Sequence, residues 1–287
     1  MPEGDTVHRL AERMASLVGR RITASDFRVP HLATASLTGR RIARVMAWGK
    51  NLYWHCESPD GNTWVLYTHL RMDGFWNIHP SGTRWRSPAH TARLVMRVEG
   101  FPDPTQEVEL VGHDLGKVEL WPEASWADHT AHLGPDPLDD DWDTPGRWAV
   151  PGREQAVATF ARQRDRSLGE TLLDQSVLAG VGNVYCNELC FLLGRHPASP
   201  ADSVDAARAM DLAAQTMRAN RATNLRVFTG VHRPGHNTFV YGRANRPCRR
   251  CGTPIRSGLL GGASTVADPR AGQERISYWC PTCQRAD

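Results

Sequence analysis

The stretch Leu173-Asp174-Gln175-Ser176-Val177-Leu178-Ala179-Gly180-Val181-Gly182-Asn183-Val184-Tyr185-Cys186-Asn187-Glu188-Leu189 decides how the second half of the chain folds. Apolar residues at helical spacing lie on both sides of a glycine-containing turn, so the segment reads as helix, turn, helix. Gly180 and Gly182 let backbone N–H groups come close to a phosphate, and Asn183 adds a side-chain donor at the positive end of the second helix. Glycine turns between helices are common in any bundle, so this element acquires meaning only from its neighbours.

Working outward, the pattern after Pro151 stays helical over Glu154 to Gln163, Gly169 to Gln175, Val184 to Leu193 and Ser203 to Arg221, with Ser167 as an N-cap and Gly194 as a C-cap. Upstream, a short helix from Asp5 to about Gly19 precedes alternating runs at 41–48, 64–70, 92–98, 107–111 and 118–121. These predict an antiparallel β-sandwich. Residues 126–150, rich in Trp, Pro, Asp and Gly without a sustained period, read as a linker. From about Val240 the chain is rich in Gly and Arg and carries paired cysteines. The expected fold is α+β and multidomain: a β-sandwich over 1–125, the linker, a helical domain over 151–239, and a small C-terminal module over 240–287.

The chain has 287 residues, 23% of them charged and 40% hydrophobic, the composition of a soluble globular protein with room for separate cores. No apolar run reaches the roughly 20 residues that cross a bilayer. The start, Met1-Pro2-Glu3-Gly4-Asp5-Thr6-Val7-His8-Arg9, lacks a secretory signal, so the expected site of action is cytoplasmic, at the nucleoid. The net charge of +3 is modest, but its distribution is uneven. Acidic residues gather in 136–143, whereas Arg243, Arg246, Arg249, Arg250, Arg256, Arg270, Arg275 and Arg285 crowd the C-terminal segment, as suits a module that faces nucleic acid.

Four of the seven cysteines form Cys248-x-x-Cys251 and Cys280-x-x-Cys283, two knuckles separated by enough chain for a β-hairpin. That arrangement closes a tetrahedral all-sulfur zinc site, and the metal supplies folding energy to a segment with little core. With four sulfur ligands no coordination position is left to activate water, so one structural zinc is expected and a zinc hydrolase is not. Redox Cys-x-x-Cys motifs are the competing reading, but no thioredoxin-like βαβ unit surrounds them. Cys56, Cys186 and Cys190 read as small buried hydrophobes.

The Met-Pro-Glu-Gly opening, the Ala-Gly-Val-Gly-Asn-Val-Tyr turn, and Val240-Tyr241-Gly242-Arg243 leading into the four-cysteine finger together resemble the formamidopyrimidine-DNA glycosylase and endonuclease VIII (Fpg/Nei) family. The resemblance spans nearly the whole chain in the right order. It implies an N-terminal β-sandwich joined to a helix-two-turn-helix domain and a zinc finger around DNA. It also implies removal of Met1, which leaves the secondary amine of Pro2 as nucleophile, an appreciable fraction of it neutral because α-amino groups titrate near pH 8. Glu3 would protonate the sugar ring oxygen. Where some relatives carry a second glutamate this chain has Thr6, next to Asp5.

Further roles rest on the same resemblance. Lys50 would contact the phosphate flanking the lesion and help catalysis. Asn183 and Arg275, the latter five residues before Cys280, would clamp the backbone on both sides and favour its kinked form, with Arg275 counted also among the catalytic groups. Arg71 and Met72 occupy the wedge position that fills the gap left by an extruded base. His113-Asp114-Leu115 stands where the 8-oxoguanine enzymes carry a second void-filling Arg and Phe. With the opening and the short Thr229 to Thr238 segment, this favours the endonuclease VIII branch and oxidised pyrimidines.

The expected activity is that of a bifunctional glycosylase and AP lyase acting as a monomer on duplex DNA with damaged bases or abasic sites, by a Pro2 Schiff base and β,δ-elimination. Two other readings stay open: a catalytically silent zinc-finger protein that binds kinked or damaged DNA, and an 8-oxoguanine- or formamidopyrimidine-preferring glycosylase.

Overall fold

The structure, a computed structural model, describes residues 2–100, 103, 105–260 and 275–285. Met1 and Arg270 of the sequence reading lie outside the described residues. The chain divides into two compact units, Met1–Ala131 and His132–Asp287.

The first unit begins with α1 (Gly4–Met14) and continues through β1 (Ile22–Phe27), β2 (Arg41–Trp48), β3 (Asn51–Glu57), β4 (Thr63–His69), β5 (Phe75–Pro80), β6 (Ala92–Glu99), β7 (Glu107–His113), β8 (Lys117–Pro122) and α2 (Trp126–Thr130). The strands form two antiparallel four-stranded sheets, ordered β1-β6-β7-β5 and β2-β3-β4-β8. Strand alternation sends Leu52, Trp54 and Cys56 of β3 into the shared core with Leu94, Met96 and Leu110 of the other sheet and Val7 and Met14 of α1. The opposite side of β3 is also buried, because Trp126 of α2 packs edge-on against Tyr53 at 4.9 Å and lies 5.1 Å from His55. A sandwich of this kind is what the alternating runs predicted, and β1, β3 and β5 are the strands that sequence reasoning did not single out.

The second unit holds α3 (Gly152–Ala161), α4 (Leu168–Leu173), α5 (Asn183–Leu193), α6 (Ala206–Asn220) and the hairpin β9 (Arg256–Leu260) with β10 (Arg275–Trp279). Ser167 and Glu170 form a reciprocal capping box at the start of α4, and Gly194 ends α5 in the left-handed conformation at φ +73°. The stretch 126–150 is more than a connection: its start is α2 of the first unit, and Leu138 and Trp142 are buried among Phe160, Leu172, Leu189 and Met210 in the helical core of the second.

Candidate nucleic-acid interface and reaction centre

In the first unit, Glu3 occupies the N-cap position of α1 in extended backbone (φ −127°, ψ −174°), and its carbonyl accepts the Thr6 and Val7 amides at 2.9 and 3.2 Å. Its side chain makes no capping bond and is wholly buried, so a carboxyl group is held beside the half-buried Pro2 where the helix dipole favours negative charge. Asp5 is also buried and accepts the Thr6 amide at 2.7 Å, which commits it to the local turn.

Lys50 sits in the two-residue turn between β2 and β3, where Trp48 pairs with Asn51. Gly49 at φ +60° takes the first turn position, the one where the hairpin's twist demands a left-handed residue. Asn51 locks this turn by donating to the Trp48 carbonyl at 2.9 Å while accepting from the Tyr67 hydroxyl at 2.9 Å. The lysine is thereby presented from a rigid corner.

Sequence reasoning missed His69 as a participant. It lies directly across from Asn51 on one side and Lys117 on the other, and its Nδ1 accepts the Arg71 amide at 2.9 Å. Burial, reinforced by the charges of Lys50, Arg71 and Lys117, pushes His69 down to about 4. The structure thus brings Lys50 and Arg71 together around a neutral imidazole whose remaining ring nitrogen is a donor. The signal in sequence was the spacing of His69 two residues before Arg71, which has no meaning until the strands are paired.

This depressed value has a pH consequence. An unfolded histidine binds a proton near pH 6.5 and the folded one only near 4, so its stabilising contribution is complete above about 6.5 and is lost as pH falls toward 4. We expect acid unfolding of wild type to gain up to about 3 kcal/mol of pH dependence in that window, and His69→Gln to flatten it. Urea midpoints at pH 7, 5.5 and 4.5 check this, and parallel curves for both proteins would refute it.

Arg71 takes φ +52°, and its side chain lies over Gly116, where an added Cβ would fall 2.2 Å from Arg71 Cγ. Met72 is 60% exposed at the tip of the same turn. His113 of the neighbouring tip is buried with Nδ1 2.7 Å from the Thr91 hydroxyl, and Leu115 belongs to the core, so neither projects outward.

In the second unit, Gly180 adopts φ +101°, whereas Gly182 is extended, so only the first glycine requires its freedom of conformation. Asn183 opens α5 and donates to the Ile276 carbonyl at 2.9 Å, one residue after Arg275. Asn187, one turn on and fully buried, donates to the Asn183 carbonyl at 2.6 Å and accepts the Tyr278 amide at 2.5 Å. The two expected phosphate clamps are therefore parts of one hydrogen-bonded assembly of helix and hairpin.

Glu188 tightens this assembly. Its wholly buried carboxylate accepts the amides of Phe239, Val240 and Tyr241 at 2.8, 2.9 and 2.8 Å. Burial pushes its carboxyl up, while these amides and the Arg243 charge pull the other way. Glu188→Ala would strand one buried and two partly buried donors, and we expect about 3 kcal/mol of lost stability, a drop of roughly 6–12 °C in the melting of this unit. Calorimetry decides it, and an unchanged transition would remove the carboxylate from this role.

The four expected metal ligands meet. Cys248, Cys251, Cys280 and Cys283 place their sulfurs within 4.8 Å of one another, with 3.4 Å from Cys251 to Cys280 and 3.9 Å from Cys248 to Cys283. Tetrahedral Zn–S bonds of about 2.3 Å need S···S separations of about 3.8 Å, so the donor set and its spacing fit one metal ion. Amides of Arg250 and Cys283 donate to Cys248 and Cys280 Sγ, both at 3.4 Å, as knuckle turns do. The crowd of C-terminal arginines is less uniform than expected: Arg243 and Arg249 donate to backbone carbonyls and Arg250 lies 4.5 Å over Phe191.

Comparison with known proteins places this architecture. Residues 1–118 match the formamidopyrimidine-DNA glycosylase N-terminal domain and residues 133–221 the formamidopyrimidine-DNA glycosylase H2TH domain. The probable endonuclease 8 2 of Streptomyces coelicolor is 44% identical over 99% of this chain and 94% of its own. The chain belongs to the Fpg/Nei family, on its endonuclease VIII branch. A second relative of that family, the DNA-(apurinic or apyrimidinic site) lyase Nei2 of Mycolicibacterium smegmatis, is 38% identical over the full length of both chains. The family fold extends to a Lactococcus lactis Fpg complex with abasic-site DNA, with a TM-score of 0.73 at 19% identity over 99% of each chain.

Proposed function

We propose that this chain is a bifunctional DNA glycosylase and AP lyase of base excision repair, with oxidised pyrimidines as its preferred bases. The observation that carries the reading is the Pro2-Glu3 pair at the head of α1, a proline next in sequence to a wholly buried carboxyl. It is supported by membership of a family whose relatives carry endonuclease 8 and AP lyase names over the full chain.

In this reading Met1 is removed and the lone pair of the Pro2 nitrogen forms a bond to C1′ of an extruded nucleotide. The base departs with the electrons of its glycosidic bond. Opening of the sugar then puts the C1′–O4′ electrons on O4′, and the proton lost by the amine is the one O4′ gains, with Glu3 as relay. The resulting iminium is a fixed cation that acidifies the 2′ hydrogens. Loss of one 2′ proton expels the 3′ phosphate, and a second elimination expels the 5′ phosphate.

Lys50 would hold the phosphate beside the lesion, Asn183 and Arg275 would pinch the backbone, and Met72 with Arg71 would fill the vacated stack. A structural zinc on Cys248, Cys251, Cys280 and Cys283 would hold β9–β10 in register for Arg275, and a monomer on the nucleoid is the working form. The test is incubation with a duplex bearing one abasic site in the presence of borohydride. A one-to-one covalent adduct is expected, whereas retarded DNA without an adduct would leave only the silent binder.

A further inference from the structure

Between β5 and β6 the chain runs Ser81-Gly82-Thr83-Arg84-Trp85-Arg86-Ser87-Pro88-Ala89-His90-Thr91, with two arginines, a histidine and no acidic residue. A loop of this length is expected to be loose, yet it is pinned at three points. At its start the Thr83 hydroxyl lies 2.8 Å from His79 Nδ1. At its end the Thr91 hydroxyl lies 2.7 Å from His113 Nδ1. In the middle Trp85 lies on the outer side of the β1-β6-β7-β5 sheet, against Ala92, Val95 and Val111.

Polar contacts fix the Trp85 ring as well. Its Nε1 donates to the buried Glu109 carboxylate at 2.6 Å, and that carboxylate is balanced by Arg97 at 3.3 Å. Arg28 lies 5.2 Å over the ring. Arg84 and Arg86, on either side of this anchor, are exposed, and no ion pair among the described residues engages them. They rim a concavity of about 510 Å³ lined by residues 83–89. Two cations on a backbone held this firmly lose little freedom when they meet an anion.

The loop is also continuous with the wedge turn. Three residues beyond Met72, the partly exposed Phe75 stacks on His113 at 5.1 Å, and the edge of His113 meets Trp85 at 5.9 Å. An aromatic strip therefore runs from the turn that carries Arg71 and Met72 to the turn that carries Arg84 and Arg86. We propose that the 81–91 loop is an accessory phosphate-binding surface that seats DNA backbone beyond the lesion on Arg84 and Arg86. The inference rests on the DNA-repair reading for its choice of polyanion.

Each lost phosphate contact lowers the salt dependence of duplex binding by about 0.9 in log K against log salt. For Arg84→Ser with Arg86→Ser we expect a slope shallower by about 1.8, weaker binding at low salt, and an unchanged rate of borohydride trapping at saturating DNA. Arg84→Glu with Arg86→Glu should weaken binding further. A slope equal to that of wild type in both variants, as an acidic protein partner for this loop would give, overturns the proposal. If wild type forms no adduct at all, the enzymatic reading fails while the slope still decides the surface.

Discussion

Protein whose Pro2 nitrogen is blocked, by a retained or added residue before it, is expected to form no borohydride-trapped adduct and to lose strand cleavage by on the order of 10³-fold or more. The size follows from what is removed. An amide nitrogen has no basic lone pair, so no iminium forms and neither elimination has its electron sink. Binding should survive, because Lys50 in its locked hairpin corner and Asn183 on α5 are untouched. Mass spectrometry establishes the state of the terminus, and cleavage of a duplex bearing thymine glycol, dihydrouracil or 8-oxoguanine gives the rates. Equal cleavage by blocked and processed protein would sink the mechanism. Faster cleavage at 8-oxoguanine than at the pyrimidines would correct the substrate class alone.

Stripping the metal is expected to have the second largest effect. The β9–β10 hairpin has strands of five residues each, and a two-stranded ribbon is marginal in water without help. The small core around Ile255, Val240 and Phe191 includes Cys248 and Cys280 themselves, so loss of the ion loosens its own packing. Since Asn183 is bonded to the Ile276 carbonyl and Arg275 precedes it, both clamps lose their setting together. Removing two such contacts at about 1–1.5 kcal/mol each predicts affinity for abasic duplex lower by about 30- to 150-fold, restored by zinc. Anisotropy titration with and without chelator measures it, with far-ultraviolet dichroism to confirm that α3 through α6 persist. Undiminished binding by metal-free protein would show that the finger does not set the clamps.

What was legible in the sequence was whatever depends on near neighbours. Ser167 and Gly194 announced helix ends because capping is settled within a turn, and the two Cys-x-x-Cys knuckles announced a four-sulfur cluster able to hold a metal because spacing within each knuckle is local. The alternating runs gave the sandwich. Strands β1, β3 and β5 escaped because Ile22–Phe27 mixes polar residues into a half-exposed edge, Asn51–Glu57 is buried on both sides, and Phe75–Pro80 ends in proline.

The parts of the site that escaped depend on pairing across the chain. His69 acquires its cationic surroundings from Lys50 in the β2–β3 turn and Lys117 on β8. Asn187 and Glu188 looked like ordinary helix residues, and only the approach of Tyr278 and of residues 239–241 reveals them as fasteners. Arginine counting overstated the outward charge of the finger, since Arg243 is nearly enclosed and donates to the Pro247 carbonyl.

The Glu188 carboxylate, gripping three successive amides that lead into the metal ribbon, limits how such a protein can be recombined. The ribbon is not a detachable cassette, because the segment leading into it is stitched to the helix that precedes it by some fifty residues in sequence. A chimera that imported a foreign finger would have to import α5 with it, or leave an anion in the interior facing amides that no longer arrive.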